Sequence, residues 1–514
     1  MLKNSIGRLI PEELEGYGKV KPFAGAYATV PEGNKAPVKI PCHRASESDK
    51  LLPSIEEALK RAGIRDGMTL SFHHHMRDGD LVMEQVFDVI RKLGIRDLRL
   101  APSAVFPCQK FLCEDIERGI VRRISGGIDG IVGRAISAGK LREPFVARSH
   151  GGRVRAIEAG DEPVDIAIIA APTADAAGNI NGTGGPSACG ALGYPMVDAE
   201  YAKTVIAVTD NLVDFPAAPI SIPHSKVDWV VKIDKIGIPE KIVSGTLKIT
   251  RDPIRLRIAE TAAQVIEHSG FFQNGFSFQA GAGGTSLAAA AYVREKMKRN
   301  GITGSFGSGG ITGYFVDMLE EGLFRTLLDT QSFDLKAVAS LARNPGHLEM
   351  SAGHYANLHT KGCVASMLDF VVLGATEIDT DFNVNVTSEA DGVMLHGIGG
   401  HQDTAAGAKV SIIVTPLLRG RIPMIVDRVN LVSSPGETID VIVTERGIAV
   451  NPLKKELTEN LRKGGLPIVD IRDLKKMAEN ISGKPAPVQM GEKIVGLVEY
   501  RDGTILDVIY QKNS

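Results

Sequence analysis

Three consecutive histidines, His73, His74 and His75, stand where a short apolar run, "MTLSF" (68–72), ends. Imidazoles bind metals well, but neighbouring strand residues point to opposite faces, so three in a row cannot converge on one ion. No metal is expected; His73 and His74 are expected to line a site at the strand end. "SHGGR" places Ser149, His150 and Arg153 around Gly151 and Gly152. A cation and an imidazole beside flexible backbone suit a carboxylate-rich ligand, and equally a surface turn. "HGIGGHQDTA" (396–405) puts His401 and Asp403 beside Gly399 and Gly400. Those glycines would let backbone approach a ligand that the two side chains polarise, or would make a buried turn with a capping aspartate. "GAGG" (281–284) precedes a helical run. Gly281, Gly283 and Gly284 could aim backbone N–H groups and a helix dipole at a phosphate or carboxylate, or form a tight turn. Neither a Walker lysine nor a full dinucleotide fingerprint is present, so neither ATP nor NAD follows.

These residues need elements to position them, and the chain supplies the same set twice. "DIAIIAAPTADAAGNING" (165–182) is matched by "DFVVLGATEIDTDFNVNV" (369–386). Asp165 pairs with Asp369, Asp175 with Asp379, Asn179 with Asn383 and Asn181 with Asn385, every pair 204 residues apart. "MTLSF" followed by the helical run "LVMEQVFDVIRKLG" corresponds to "FSFQ" (276–279), "GAGG" and "TSLAAAAYVREKMKRNG"; "DIERGIVRRI" (115–124) corresponds to "LEEGLFRTLL" (319–328). This is an internal duplication. Short apolar strands alternating with helices predict an α/β fold of two duplicated domains with open, mainly parallel sheets. Ligands bind at the carboxyl ends of such strands. Asn383 and Asn385, in the turn after the second copy's strand, are therefore candidate substrate ligands. Two related sheets facing each other predict one site between them. The expected segments are an N-terminal arm at 1–45, a first domain at 46–240 and a second at 241–514, with the join in "KIGIPEKIVSGTLKITRDP" (235–253). Glu377 stands where the first copy has Thr173, which suggests that one half acquired the working site.

At 514 residues, 43% hydrophobic and 23% charged, the chain reads as globular and divided into domains. Abundant glycine and scarce aromatics suit an enzyme with many tight turns. A net charge of −2 gives no electrostatic case for nucleic acid or an anionic membrane. The five cysteines form no C-x-x-C pair and read as free thiols in a reducing compartment; Cys189 is read as structural. Arg419 and Arg421 in "LLRGRIP" read as solvated. With no long apolar span and no signal-peptide core at the N-terminus, the cytoplasm is the expected location.

The ordered motifs "DGMTLSFHHHMRDGD", "SHGGR", "GAGGTSLA", "FGSGGITGYFVDMLEEGL", "LLDTQSFD", "LARNPGHLEMSAGHYAN", "EIDTDFNVNV", "GGHQDTA", "RGRIP" and "RGIAVNP" resemble the bacterial citrate lyase alpha subunit family from about residue 45 onward. The resemblance implies a duplicated CoA-transferase architecture and citrate CoA-transferase activity. That activity exchanges acetyl for citryl on an acyl-carrier-protein thioester, or on CoA. It implies no intrinsic cofactor beyond the carrier's CoA-like group. Expected partners are the beta (citryl lyase) and gamma (acyl-carrier) subunits, with an oligomeric assembly. Related CoA transferases use a glutamate nucleophile about thirteen residues before the glycine matching Gly322. That position is Gly309 here, and no acid lies between Phe306 and Tyr314. Direct transfer through a mixed anhydride follows, with Gly399, Gly400, His401 and Glu377 as catalytic or orienting residues. Gly281, Gly283, Gly284, Gly309 and Gly310 would lie at the thioester. His73, His74, Ser149, His150, Gly151, Gly152, Arg153, Asn383, Asn385 and Asp403 would hold citrate. The alternatives are a citramalate transferase, a conventional acyl-CoA:carboxylate transferase and a non-catalytic carrier-protein scaffold.

Overall fold

The computed structural model describes residues 1–28, 50–243 and 248–512. Cys42, most of the second half of the expected arm and residues 244–247 of the expected join lie outside them.

Local sequence explains the elements. The helix Val82–Leu93 buries Val82, Met83, Val86, Phe87 and Ile90 along one face and ends where Gly94 takes φ 72°. Its counterpart, Gly284–Asn300, ends in the same way at Gly301, with φ 63°. A left-handed terminal residue of this kind favours glycine.

The duplication is visible in the strand order. The first sheet runs through Phe145–Ala147, Val121–Ile128, Leu98–Leu100, Thr69–Ser71, Ile166–Ala170, Thr204–Thr209 and Trp229–Lys232. The second runs through His347–Glu349, Phe324–Ser332, Gly304–Ile311, Ser277–Ala280, Phe370–Gly374, Val410–Val414 and Val441–Thr444. Corresponding strands occupy corresponding places, and all these neighbours pair parallel. Each sheet has its own buried aliphatic and aromatic core.

The polar turns are built alike in both halves. Asp175 Oδ1 accepts the Gly178 and Asn179 amides, and Asp379 Oδ1 accepts those of Asp381 and Asn383. In both, the asparagine four residues on donates its side-chain amide back to the aspartate.

The expected boundaries at 240/241 do not separate the two sheets. The antiparallel C-terminal pair, Ile494–Glu499 and Ile505–Tyr510, joins the first sheet beside Phe145–Ala147. Charge holds it there. Glu499 accepts Arg148 Nε at 2.9 Å and Arg155 Nη2 at 3.0 Å, while Arg148 also pairs with Glu162, which meets Arg123 at 3.2 Å. The described part of the arm folds back on that pair. Leu2–Lys3 pairs with Leu9–Ile10, the Phe23 amide donates to the Ile505 carbonyl, and Ile10 and Val20 pack on Leu497, Ile505 and Val508. No helix of the described residues is long and apolar enough to cross a membrane.

Candidate functional site

The carboxyl edge of the second sheet carries the first wall of the site. The strand Gly304–Ile311 breaks register between Gly309 and Gly310, and Gly309 takes φ 101°, a conformation L side chains rarely adopt. A Cβ there would lie 2.7 Å from Cδ of Gln279, on the adjacent strand. Gln279 Nε2 donates to the Tyr355 hydroxyl at 2.8 Å. Tyr355 sits on the short helix Ala352–Ala356, capped by Ser351. A Cβ on Gly400 would come within 2.3 Å of that hydroxyl. Gly309, Gln279, Tyr355 and Gly400 thus form one continuous surface.

The first half supplies the opposite wall. "SHGGR" is neither a turn nor a surface feature: Ser149 caps the helix His150–Ala159 by accepting the Gly152 amide, and the helix is buried. Asp403 accepts the Ser149 hydroxyl at 3.0 Å and the Gly151 amide at 2.9 Å, and the His150 amide donates to the Gly399 carbonyl at 2.9 Å. These bonds join the halves. The His150 ring lies against His74 (centroids 5.4 Å) and Tyr194 (4.7 Å), and its Nε2 lies 3.8 Å from the place a Gly399 Cβ would take. Burial, with Arg153 nearby, lowers the His150 pKa to about 3, so the imidazole is neutral near pH 7. Among the described residues the Gly399 and Gly400 amides have no acceptor. Two free N–H groups beside a neutral histidine can stabilise a developing oxyanion.

Several expected ligands are committed elsewhere. Arg153 makes a buried two-pronged pair with Asp198, at 3.0 and 2.6 Å, and donates to the Ala101 carbonyl. His73 lies 3.0 Å from the same aspartate. Burial raises the Asp198 pKa, but Arg153 and His73 outweigh that and hold it below the usual carboxylate range. Arg153 therefore serves the core and is not a substrate cation. Arg153→Ala is expected to cost about 3–5 kcal/mol of stability by leaving that buried charge underpaired, with chemical denaturation as the measurement. A fully stable variant with impaired citrate binding would return Arg153 to the site.

His401 is occupied on both nitrogens, Nδ1 with the Ser434 hydroxyl at 2.8 Å and Nε2 with the Gly374 carbonyl at 3.1 Å. Asp403 and Ser149 hold the halves together instead of facing a ligand. Asn383 bonds to Asp379 and accepts the Gly436 amide; Asn385 bonds to Glu377 and Ser388 and accepts the Thr387 and Ser388 amides. Both asparagines shape the turn. Glu377 is buried with hydrogen bonds to Asn385 and Asn430, and burial raises its pKa. Where the first half has Thr173, the corresponding place opens into a pocket of ≈ 400 Å³ lined in part by Asn181, Asn211 and Asp214. In "GAGG", the space beside Gly284 is filled by the Lys248 carbonyl, at 2.6 Å from a Cβ, whereas Gly281 and Gly283 are less crowded. Gly151 and Gly152 serve close packing, and Gly310 lies under the Phe333 ring.

Of the three histidines, His74 bonds Ser103 and His75 bonds the Ala170 carbonyl, so each ring has a different neighbour. Among the described residues no group of three or more His, Cys, Asp or Glu side chains could hold a metal. The four described cysteines are free thiols.

Sequence reasoning missed Gln279, Tyr355 and Arg77. The Arg77 guanidinium lies over Phe106 of the first half (4.7 Å) and Phe333 of the second (5.2 Å), and its own backbone is left-handed, with φ 50°. Its place in "HHHMRDGD" was visible, but nothing in the pattern distinguished it from a solvated arginine.

Residues 48–512 match the family model "Citrate lyase, alpha subunit". The citrate lyase alpha chain of Klebsiella pneumoniae is 48% identical over 476 residues, 91% of this chain and 94% of that protein. A solved Streptococcus mutans protein, described as the alpha subunit of citrate lyase in complex with citrate, superposes with a TM-score of 0.95 at 46% identity, covering 99% of this chain and 100% of that one. A Pseudomonas malonate decarboxylase hetero-tetramer in complex with malonate shares the fold, with a TM-score of 0.62 at 17% identity over 86% of this chain and 95% of the matched one.

Proposed function

The chain belongs to the citrate lyase alpha subunit family, and from that premise we propose that it exchanges acetyl for citryl on a carrier thioester by direct transfer between substrates. The observation that carries this reading is Gly309: the strand end is a glycine with φ 101° packed on the Gln279 amide, and no carboxylate projects from it.

A citrate carboxylate oxygen attacks the acetyl thioester carbonyl, forming a C–O bond; collapse of the tetrahedral adduct breaks the C–S bond and releases thiolate. The products of this step are the mixed acetyl–citric anhydride and the thiolate. The thiolate then attacks the citryl carbonyl, and acetate leaves. No proton need be transferred on balance. The protein's task is to align the two acyl groups and stabilise two oxyanions, for which the Gly399 and Gly400 amides are placed. His150, being neutral, donates a hydrogen bond to citrate, and Arg77 supplies the cation that Arg153 does not. Gly281 and Gly283 leave room for the carrier's CoA-like arm. The beta and gamma subunits of a citrate lyase complex are the partners.

Varying acetyl thioester and citrate together is expected to give intersecting double-reciprocal lines. Borohydride treatment after incubation with acetyl-CoA alone is expected to leave every peptide at its unmodified mass. Parallel lines with a reduced adduct, at Glu377 or elsewhere, would establish a covalent enzyme intermediate instead.

A further inference from the structure

Two polar functions in the Gln279–Tyr355 wall lack protein partners. The Gln279 side chain is 6% exposed and its Oε1 has no hydrogen-bond partner. Tyr355 is 3% exposed. With the amide turned so that Nε2 donates to the phenol, the Tyr355 oxygen is an acceptor in that bond, and among the described residues its own proton has no acceptor. Burial raises the phenol's pKa, so that proton is retained at neutral pH. A buried polar group left unpaired is destabilising, and two together on one surface point to a ligand that answers both. The adjoining positions are open to one: Gly400 and Gly399 are partly exposed, and Gly309 and Gly400 carry no side chain over the pair.

We propose that Gln279 and Tyr355 form a fork that reads the hydroxyl and the adjoining carboxylate of a hydroxy-acid substrate. The substrate hydroxyl donates to Gln279 Oε1, and an oxygen of the carboxylate attached to the same carbon accepts from the Tyr355 hydroxyl. The two ligand oxygens are joined through two carbons, as the two protein groups are joined through their mutual hydrogen bond, so the four polar groups close into a ring. This rests on the citrate reading above and adds to it the feature of citrate that is selected. It also gives Gly309 a second reason: any side chain there would displace the Gln279 amide, since a Cβ already meets its Cδ, Nε2 and Oε1 at 2.7, 2.9 and 3.0 Å.

Tricarballylate, which is citrate without the hydroxyl, separates the two arms of the fork. Binding of each acid to the full-length chain is measured by calorimetry. Wild type is expected to bind citrate on the order of 100-fold more tightly, because a site built to pair a hydroxyl rejects the analogue that leaves its acceptor unpaired. Gln279→Leu is expected to weaken citrate on the order of 30-fold and to leave tricarballylate nearly unchanged, collapsing the preference. Tyr355→Phe, which loses the carboxylate donor and, for either acid alike, the acceptor of Gln279 Nε2, is expected to weaken both acids by a similar factor, on the order of tenfold. Where Gln279→Leu does not fold, Gln279→Met keeps the chain length and removes both polar ends. Citrate binding with no preference over tricarballylate, or a Gln279 variant that weakens both equally, overturns the fork while leaving the citrate reading in place. A wild-type chain that binds neither acid refutes the citrate reading and the fork with it.

Discussion

Replacing Glu499 by alanine is expected to lower stability by about 3–5 kcal/mol, because it strands Arg148 and Arg155 in the protein interior. Glu499 is 2% exposed, and the two guanidiniums that meet it are almost as enclosed. Arg148 would keep Glu162; among the described residues Arg155 would keep Asp161, which is largely solvent-facing. Glu499→Gln retains the shape and acceptor oxygen but not the charge, so it is expected to lie between alanine and wild type. The pH dependence has a definite sign. Burial alone would raise the Glu499 carboxyl, yet Arg148 and Arg155 outweigh it and hold the group below its ordinary value. A carboxyl depressed on folding contributes stability that is complete above its unfolded pKa, about 4.3, and is lost as pH falls through the folded value. Wild type should therefore lose stability below about pH 4 more steeply than Glu499→Gln. Urea titrations at neutral and acidic pH check both statements. A variant as stable as wild type would mean that water reaches the network.

Gly151→Ala is expected to reduce activity on the order of 100-fold or more, the loss typical of displacing a reacting group by about 1 Å. The added Cβ would fall 2.2 Å from the Ala356 carbonyl oxygen and 2.6 Å from Asp403 Oδ1. One obstacle is backbone and the other is a side chain already bonded to Ser149, so neither can yield cheaply. The contact lies where the two halves meet beside His150, and relieving it moves His150 away from Gly399 and Gly400. Gly374→Ala is the control: it ends the strand Phe370–Gly374 of the second sheet, where a Cβ would meet nothing within 4 Å. Steady-state rates of both variants, with melting curves to confirm folding, measure the difference. Equal activity in the two would show that the spacing of the halves is not set here.

The repeat in the sequence disclosed the architecture because a duplicated sheet must reuse the same apolar periods and turn residues. Asp175 and Asp379 each hold the asparagine four residues on, by its backbone and side-chain amides, for that reason. The candidate site was legible mainly at its glycines. Sequence shows that Gly151, Gly309 and Gly400 must admit something close, but not whether it is a ligand or the protein itself; at Gly151 it is the Ala356 carbonyl. Charged residues misled for a related reason. Arg153 reads as a substrate cation until Asp198, 45 positions away, is seen to occupy it. His401 reads as a polarising group until Ser434 and Gly374 take both its nitrogens. Gln279 and Tyr355 carried no signal at all, since a glutamine in a strand and a tyrosine in a short helix are ordinary residues whose importance lies only in being neighbours.

The return of the C-terminal strands to the first sheet has a consequence for synthesis. Glu499 leaves the ribosome 351 residues after Arg148. At about 5–20 residues per second, the strand Phe145–Ala147 waits roughly 20–70 s for its neighbour. During that interval the first sheet has an unpaired edge, a template for pairing with another chain. Arg148 and Arg155, close to that edge, have Glu162 and Asp161 as partners from their own half before the last strands bring Glu499. The edge closes when Glu499 reaches those two side chains.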